Sequence, residues 1–346
     1  MLRTKRPSIN DVARLAGVSK KTVSRIINNE PNVSEKMRRK VQSAIDECSY
    51  TPNSQARGLS LSRSFLVSIV YDNPNASYVM EAMYGALDYC RSQGYELIMH
   101  PCDFSSPTAI DDLMTFIGQS KIDGVILLQP ISDSAELASR LKEAGCNFVR
   151  LLSTRCEDEA NMIYHNDGIA VNQIVAHLAE RGHRQIAHIR GPLNSQSANQ
   201  RHAEFLLAME KQSLVVAEHH VVLGDYTFRS GIDSAESLLA SNSPPSAIFA
   251  SNDEMAIGAI VAAQRMGIKI PTGLAVVGFD DSPHASRMWP ALTTVNLRVK
   301  EMTQLAAQKL IAQCKGNNSA AADIPCEVKP IFIQRQTTDI PSTTPK

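Results

Sequence analysis

Residues 8–29 read SINDVARLAGVSKKTVSRIINN, and this stretch decides the fold of the amino-terminal part of the chain. Its first apolar residues follow helical spacing and are Ile9, Val12, Ala13 and Ala16. Ser8 is a good N-cap for that helix, and Asp11 suits its first turn. Gly17 then supplies the backbone freedom for a tight turn. The spacing therefore predicts two short helices joined at Gly17.

The second helix is predicted to begin at Ser19 and to divide its side chains between two faces. The inward face consists of Val23, Ile26 and Ile27, and the outward face of Lys21, Ser24, Arg25 and Asn28, with Lys20 at the exposed start. Lys and Arg can donate to guanine, Asn can read adenine, and Ser and Thr hydroxyls more often bond phosphate. This pattern indicates a helix-turn-helix that enters the major groove of DNA. The alternative is an ordinary helical subdomain with a solvated basic face.

A third helix is predicted from Ser34, and its first turns carry the cations Lys36, Arg38, Arg39 and Lys40, which suit phosphate contact. Pro52 then favours a new short helix up to Leu59. Because so short a helix is marginal in water, we expect it to be disordered in the free protein and helical on DNA. Leu59 could insert between base pairs in the minor groove. A plain linker with one incidental leucine is the alternative.

The order of these residues resembles the DNA-binding headpiece of the LacI/GalR family of bacterial regulators. The resemblance rests on SINDVARLAGVS, TVSR and the later Y-x-P-N-x-x-A-R-x-L at 50–59. It implies that Lys20, Lys21 and Arg25 read bases of a palindromic operator, and that Leu59 is the paired wedge of a homodimer. The implied DNA contacts are Ser8, Ser19, Lys20, Lys21, Thr22, Ser24, Arg25, Asn28, Asn32, Asn53, Ala56 and Leu59.

The charge of the 346-residue chain sums to zero but is unevenly spread. Residues 1–63 hold thirteen Lys and Arg against five Asp and Glu, a formal charge of +8, so the remainder carries −8. A basic head on an acidic body points to a polyanionic partner at one end only.

The seven cysteines, an odd number without a C-x-x-C motif, argue against a disulfide framework and against structural zinc. The histidines lack metal-ligand spacing, so we expect no metal and no cofactor. The first seven residues are basic without an apolar core, and no apolar run approaches the roughly twenty residues that span a bilayer. We therefore expect a cytoplasmic location.

From residue 65 onward, apolar strands alternate with helical stretches such as 79–93 and 169–181. The predicted strands are 65–71, 95–99, 124–128, 147–152, 185–189, 246–250 and 274–279. Repeated β-α units imply parallel sheets with right-handed crossovers. Because one core seldom exceeds about 250–300 residues and the pattern restarts near Asn166, we expect two lobes with a ligand cleft at the carboxyl ends of the strands.

This half resembles the LacI/GalR effector domain, which is itself similar to periplasmic sugar-binding proteins. The matching stretches are RGHRQIAHIRGP (181–192), ASNDEMAIGA (250–259), VVGFDDS (276–282) and PALTTV (290–295). The fold class is therefore an all-α helix-turn-helix headpiece plus a two-lobed α/β domain of the periplasmic-binding-protein type. The implied divisions are a headpiece 1–49, a hinge 50–63, an effector-binding and dimerisation domain 64–336 and a flexible tail 337–346. Lobe 1 comprises 64–164 and 295–325, and lobe 2 comprises 166–292 and 328–336.

The resemblance also implies positions for effector contact. Asn252 and Asp280 follow strands and could bond sugar hydroxyls, although both residue types are also common as helix caps and in turns. Tyr226 could stack on a sugar ring or simply belong to the core. Asn75 and Tyr78, in the loop 73–78, could contact the ligand, or the loop could be a helix start capped by Asn75 or Ser77.

The chain departs from the family where many members carry an arginine that grips the ligand. Asn199 stands at that place, while Arg201 keeps the second basic position, and Arg150 could replace the missing cation. Losing a fixed guanidinium removes a partner for an anionic ligand. We therefore favour a neutral sugar-like effector, with a nucleobase or nucleoside as the alternative.

These motifs bear on three classes of protein. An enzyme is disfavoured because the sequence lacks a G-x-G-x-x-G after the first strand, a P-loop and a G-x-S-x-G elbow. A plain sugar-binding protein would not need a headpiece of +8. A dimeric, effector-controlled transcription regulator, most often a repressor in this family, accounts for both halves.

Overall fold

The computed structural model describes residues 7–27, 33–50, 63–73 and 75–339. The chain divides into two compact units, Met1–Phe65 and Leu66–Lys346. The predicted hinge, apart from its ends, falls outside the described residues.

The first unit contains three helices: α1 (Ile9–Leu15), α2 (Lys20–Ile27) and α3 (Glu35–Glu47). Gly17 has a φ of +57°, so the turn between α1 and α2 uses the left-handed conformation that glycine adopts at little cost. The buried core shared by the three helices consists of Val12, Ala13, Ala16, Val23, Ile26, Val41 and Ala44. The predicted apolar stripes are therefore the surfaces that hold the helices together.

The second unit contains two parallel sheets, each the core of one lobe. The lobe 1 strands are β1 (Leu66–Tyr71), β2 (Glu96–Pro101), β3 (Gly124–Leu127), β4 (Asn147–Leu152) and β5 (Met162–Tyr164). The lobe 2 strands are β6 (Ile186–Arg190), β7 (Val221–Leu223), β8 (Ala247–Ala250) and β9 (Ala275–Val277). The orders are β2-β1-β3-β4-β5 and β7-β6-β8-β9. Both orders reverse direction beside the first strand, which places a ligand crevice at that edge.

Two further short strands, β10 (Thr294–Asn296) and β11 (Ile331–Ile333), form an antiparallel pair. Thr293 bridges Val277 of lobe 2, and Glu327 bridges Tyr164 of lobe 1. The chain therefore passes between the lobes near these residues and again after β5.

The helices of the second unit cover the sheet faces. They are α4 (Ala76–Ser92), α5 (Ala109–Ser120), α6 (Ala135–Glu143), α7 (Asp167–Glu180), α8 (Gln196–Lys211), α9 (Phe228–Leu239), α10 (Asp253–Arg265), α11 (Pro283–Arg287), α12 (Val299–Cys314) and α13 (Asn318–Ala322). Helices α4 and α12 pack closely because Gly85 lets the carbonyl of Lys300 approach its backbone. None of the described helices is long and apolar enough to cross a membrane.

The predicted flexible tail begins too early, because Thr337 and Thr338 are buried. The Thr337 hydroxyl donates to the carbonyl of Val276 at 2.7 Å and accepts the Thr293 N–H at 2.8 Å. The Thr338 hydroxyl lies 2.8 Å from Nε2 of His177. These bonds join the residues to lobe 2, so they are part of the folded domain. Residues 340–346 lie outside the described part.

Candidate functional site

The outward face of α2 carries the residues predicted to meet DNA. Lys20 and Lys21 are exposed, and Thr22, Ser24 and Arg25 are half-buried. The Ser19 hydroxyl accepts the Thr22 N–H at 3.1 Å, which fixes the start of the helix. Because Val23 and Ile26 are buried, the polar face of α2 points away from the core of its unit.

Two other elements of this unit present polar groups. The Asp11 carboxylate accepts the backbone N–H and the hydroxyl of Ser8, at 3.0 and 2.7 Å, so Ser8 fixes the start of α1. On α3, Lys36 and Lys40 are exposed. The predicted contacts Asn28, Asn32, Asn53, Ala56 and Leu59 lie outside the described residues.

The second unit has a cleft of about 630 Å³. Residues of both lobes line it, and they lie mainly in the loops that follow the strands. The lining comprises Asp72, Asn73, Asn75, Ala76, Ser77, Tyr78, Gln129, Pro130, Pro192, Asn194, Ser195, Ser197, Arg201, Asp225, Tyr226, Thr227, Phe228, Ser251, Asn252, Glu254, Asp280, His284 and Leu297. A volume of this order suits a small-molecule ligand.

Six of the eight predicted effector residues lie in this lining: Asn75, Tyr78, Arg201, Tyr226, Asn252 and Asp280. Asn199 and Arg150 are not among the residues that line the cleft. The Asn199 amide accepts from Arg190 at 2.7 Å and donates to the carbonyl of Leu193 at 2.7 Å, so it is exposed on the outer side of α8. Arg150 points instead toward Cys156, 3.0 Å from its Nη2.

Asn75 is the helix cap, one of the two roles that the sequence left open, and it also lines the cleft. Its Oδ1 accepts the N–H groups of Ser77 and Tyr78, at 3.1 and 3.2 Å, and thereby caps α4. Its Nδ2 donates to Oδ2 of Asp280 at 3.3 Å, which joins lobe 1 to the end of the lobe 2 sheet across the cleft.

Arg201 is the buried cation of the cleft. Its Nε and Nη2 donate to Oδ2 of Asp167 at 3.1 and 2.8 Å, and its Nη1 donates to the carbonyl of Ser251 at 2.6 Å. Burial alone would raise the pKa of Asp167, but Arg201 and His165 beside it bring that pKa below its usual range. The charge of Arg201 is therefore largely matched inside the protein, which leaves little of it for an anionic ligand.

Asp280 and Tyr226 both have a positive φ, of +115° and +69°, which is uncommon for residues other than glycine. Burial and the neighbouring Asp253 raise the pKa of Asp280 well above its usual range. Burial and Asp280 likewise raise the pKa of Tyr78. Burial thus favours the neutral form of both groups, and a neutral carboxyl or phenol can donate to hydroxyl or carbonyl oxygens of a ligand.

The Tyr226 ring lies on the backbone of Gly191, where an added Cβ would come 2.5 Å from its Cζ. Asn252 caps α10 through the Met255 N–H at 2.9 Å and donates to the Tyr226 carbonyl at 2.9 Å. Both side-chain atoms of Asn252 are thus engaged within the protein. Its place in the site is to hold Tyr226 and the start of α10 together.

Several lining residues were missed from the sequence, although a signal existed for some of them. Asp72, Gln129 and Ser251 each come just after a predicted strand, where parallel sheets gather their ligand contacts. Phe228, His284 and Leu297 carry no such signal. Among the described residues, no group of three or more His, Cys, Asp or Glu could hold a metal ion.

Together, a helix-turn-helix unit and a two-lobed ligand-binding unit define the class of effector-controlled transcription regulators. Residues 8–53 match the family model "Bacterial regulatory proteins, lacI family", and residues 175–338 match "Periplasmic binding protein-like domain".

The ribose operon repressor of Escherichia coli (strain K12) is 31% identical over 306 residues, which cover 88% of this chain and 92% of that protein. The HTH-type transcriptional repressor PurR of Proteus mirabilis is 31% identical over 339 residues, which cover 95% of this chain and 96% of that protein.

A Lac repressor dimer bound to operator and the anti-inducer ONPF superposes with a TM-score of 0.77 at 26% identity, covering 96% of this chain and 99% of that one. A complex of the regulator CelR with cellobiose superposes with a TM-score of 0.69 at 27% sequence identity, and the match covers 96% of this chain and 100% of that one. The chain belongs to the LacI family of bacterial transcriptional regulators. It is a DNA-binding regulator with a small-molecule domain, and its relatives are repressors rather than enzymes.

Proposed function

We propose that this regulator is a cytoplasmic repressor that binds a palindromic operator as a homodimer and responds to an uncharged, sugar-like effector in the cleft. The observation that carries the effector proposal is the Asn75–Asp280 hydrogen bond, which joins the two lobes inside a cleft lined by polar and aromatic side chains. A ligand that exchanges this bond for its own hydroxyl contacts would change the balance between open and closed lobes.

On the DNA side, the proposal assigns base reading to Lys20, Lys21 and Arg25 of α2. The polar residues around them, with Ser8 and the cations of α3, would contact phosphates and set the register. Leu59, in the segment 50–63, would act as the minor-groove wedge. Dimers follow from this assignment because two reader helices are needed for two half-sites.

On the effector side, the charges of the lining favour a neutral ligand. Asp72, Asp225 and Glu254 line the cleft, whereas the guanidinium of Arg201 is occupied by Asp167. An anionic ligand would meet more repulsion than attraction there. Tyr78, Tyr226 and Phe228 supply faces on which a sugar ring can stack. The CelR–cellobiose complex, a relative of similar fold, supports a carbohydrate.

A nucleobase or nucleoside is the second candidate, since the same aromatic rings could stack on a base and PurR is among the relatives. The buried hydroxyl of Ser251 and the carboxyl of Asp280 could then pair with ring atoms. Because a sugar ring and a base could both stack on these aromatic side chains, the thermal-shift screen includes both classes of ligand.

Effector control would act through the three passages between the lobes and the hinge 50–63. Closure or opening of lobes 64–164 with 295–325 and 166–292 with 328–336 would reorient the paired hinges. The coupling must be reciprocal, so operator DNA changes effector affinity by the same factor as effector changes operator affinity.

The test is a thermal-shift screen of the full chain against neutral sugars, sugar acids, sugar phosphates, nucleosides and nucleobases, followed by calorimetry of each hit. Tyr226→Ala serves as the cleft variant and Leu207→Ala, exposed on α8 away from the lining, as its control. Neutral sugars should bind to the wild-type protein, and Tyr226→Ala should weaken their affinity about tenfold or more, which is the expected effect of losing one stacked ring. Binding of sugar acids alone, or binding unchanged by Tyr226→Ala, would contradict the proposed effector class.

A further inference from the structure

The lysine Lys309 is buried in lobe 1, with only 1% of its surface exposed. It lies on α12, and its Nζ donates to two atoms: the carbonyl oxygen of Glu159 at 3.0 Å and Sγ of Cys326 at 3.1 Å. A buried ammonium is costly unless an anionic group is close to it. A group that can carry negative charge is therefore expected close to the Lys309 ammonium.

The carboxylates of this region are paired with other cations. Glu159 pairs with Arg155, and Asp158 lies 2.8 Å from Lys142. Among the described residues, no carboxylate forms an ion pair with Lys309 within 4.0 Å. The sulfur of Cys326 is the contacting group that can carry negative charge, since a cysteine can exist as a thiolate.

Cys326 is half-buried between exposed neighbours, and its sulfur lies 3.5 Å from the carbonyl oxygen of Glu159 and 3.8 Å from that of Ile324. Cys156 packs on the same small cluster of Leu152, Met162 and Tyr164, and Nη2 of Arg150 donates to its sulfur at 3.0 Å. Arg150 also has Asp158 at 3.9 Å, so its charge does not depend on Cys156. Unlike Arg150, Lys309 has no carboxylate within 4.0 Å of its ammonium among the described residues.

We propose that Cys326 is an oxidation site of this protein, with its sulfur 3.1 Å from the Lys309 ammonium, and that peroxides modify it. The thiolate sulfur attacks one oxygen of the peroxide, the O–O bond breaks and an S–O bond forms. Sulfur is oxidised by two electrons to a sulfenic acid, and the peroxide is reduced to water. Lys309 supplies the proton that the departing hydroxide takes up, and is left as a neutral amine.

The position of Cys326 gives this chemistry a structural consequence. Its carbonyl accepts the Tyr164 N–H at 2.7 Å, and the Val328 N–H donates back to the Tyr164 carbonyl at 2.9 Å. Cys326 therefore belongs to the passage of the chain from lobe 1 toward β11. A sulfenic oxygen added here has to be accommodated between that passage and α12.

The chain supplies an internal control in Cys146, which has the same half-buried exposure class. Burial raises the pKa of Cys146 to about 11, so it is a thiol at neutral pH. Cys90, on the buried face of α4, has its pKa raised to about 12 by burial and serves as a second control. Both lack a lysine or arginine contact among their hydrogen bonds.

The experiment treats the full-length, reduced protein with hydrogen peroxide in the presence of dimedone and follows each cysteine by peptide mass spectrometry. We expect Cys326 to be labelled at least about tenfold faster than Cys146, because thiolates and not thiols react with peroxide. A Cys326 rate equal to or below that of Cys146 would overturn the proposal, and this comparison needs no variant.

Variants then test the role of Lys309. Lys309→Met should bring the Cys326 rate down to that of Cys146, whereas Lys309→Arg, which keeps a cation, should retain most of it. Lys329→Met removes an exposed cation three residues from Cys326 and should leave the rate unchanged. An unchanged Cys326 rate in Lys309→Met, or an equal loss in Lys329→Met, would show that Lys309 does not hold the thiolate. If Lys309→Met does not fold, the proposal is still tested by the Cys326 rate in Lys309→Arg and by the rates of Cys326 and Cys146 in the wild-type protein.

Discussion

At the scale of single residues, the cleft depends on side chains that other residues hold in place. Tyr226 rests on Gly191, Asn252 bonds the Tyr226 backbone, and Asp167 holds Arg201. The strand-end positions of Asn252 and Asp280 were predictable from the sequence. The pairing of Arg201 with Asp167 was not, because the two residues are 34 positions apart and lie on different helices.

Gly191→Ala should weaken effector binding although Gly191 itself has no side chain to offer a ligand. The new Cβ would lie 2.5 Å from Cζ and 2.6 Å from Oη of Tyr226, so the ring must move out of its position. We expect a loss of affinity comparable to that of Tyr226→Ala, with little change in the melting temperature. Calorimetry with a ligand from the panel measures it, and wild-type affinity in Gly191→Ala would show that the ring position is unimportant.

Asp253 should make the second unit lose stability as pH rises toward neutrality. Burial raises the pKa of this carboxyl from its usual 3.8 to about 7. The folded state therefore holds a proton that the unfolded chain has lost between about pH 4 and 7, so the stabilisation is complete below about pH 4 and is lost as pH rises through about 7.

Asp253→Asn should reduce that slope while keeping the local hydrogen bonds. The amide oxygen can accept the Ser282 N–H, and the amide nitrogen can donate to the Thr294 hydroxyl, where the carboxyl now accepts both. Some slope remains because burial also raises the pKa of Asp133, to about 6. Urea unfolding from pH 4.5 to 7.5 measures the free energy of unfolding of the wild type and of Asp253→Asn. An identical dependence on pH in the two proteins would exclude Asp253 as its source.

At the scale of secondary-structure elements, the long apolar strands and amphipathic helices were predictable, and the short ones were not. Each of the seven predicted strands has a counterpart in the two parallel sheets. The strand β9 has only three residues but lies within the longer apolar run 274–279, whereas β5, β7, β10 and β11 have three residues each without such a run, too few for a periodic pattern to appear. These short strands lie at sheet edges or between the lobes, where long-range pairing rather than local sequence selects their conformation.

The close contact of α4 with α12 predicts that a glycine-to-alanine change destabilises the protein at Gly85, within the contact, and stabilises it at Gly118, outside the contact. Gly85→Ala should lower the melting temperature of the second unit, because its Cβ would lie 2.1 Å from the carbonyl oxygen of Lys300 and 2.1 Å from Oγ1 of Thr303. The expected cost is about 1–3 kcal/mol, typical of overpacking.

Gly118→Ala is the matched control, since it lies in α5 with nothing within 4 Å of the added methyl group. It should stabilise the unit by about 0.5–1 kcal/mol through helix propensity. Differential scanning calorimetry of both variants measures the pair, and equal shifts of the same sign would contradict the close packing of α4 on α12.

At the scale of the whole molecule, the charge of +8 on residues 1–63 predicts that DNA binding falls steeply with salt while effector binding does not. The logarithm of the DNA binding constant should fall linearly with the logarithm of salt concentration, by about 0.9 for each phosphate contact.

Lys36→Met should reduce that slope by about one per headpiece and weaken binding to all duplexes alike, because Lys36 is an exposed cation of α3. Lys20→Met, on the proposed reading helix, should instead change which duplexes are preferred. Salt titrations by fluorescence anisotropy on several duplexes separate the two effects. A Lys36→Met loss confined to one sequence would contradict the assignment of Lys36 to phosphate contact.

The central claim is that a ligand in the cleft controls DNA binding by the helix-turn-helix unit. The most direct measurement selects duplexes from a random pool with the full-length protein, and then titrates the enriched duplex with and without a saturating ligand from the panel. The account predicts enrichment of a two-fold symmetric site and a change in its affinity of about fivefold or more on adding ligand, the usual range of allosteric coupling. Failure to enrich any duplex at low salt, or an affinity unchanged by a ligand that calorimetry shows to be bound, would contradict it.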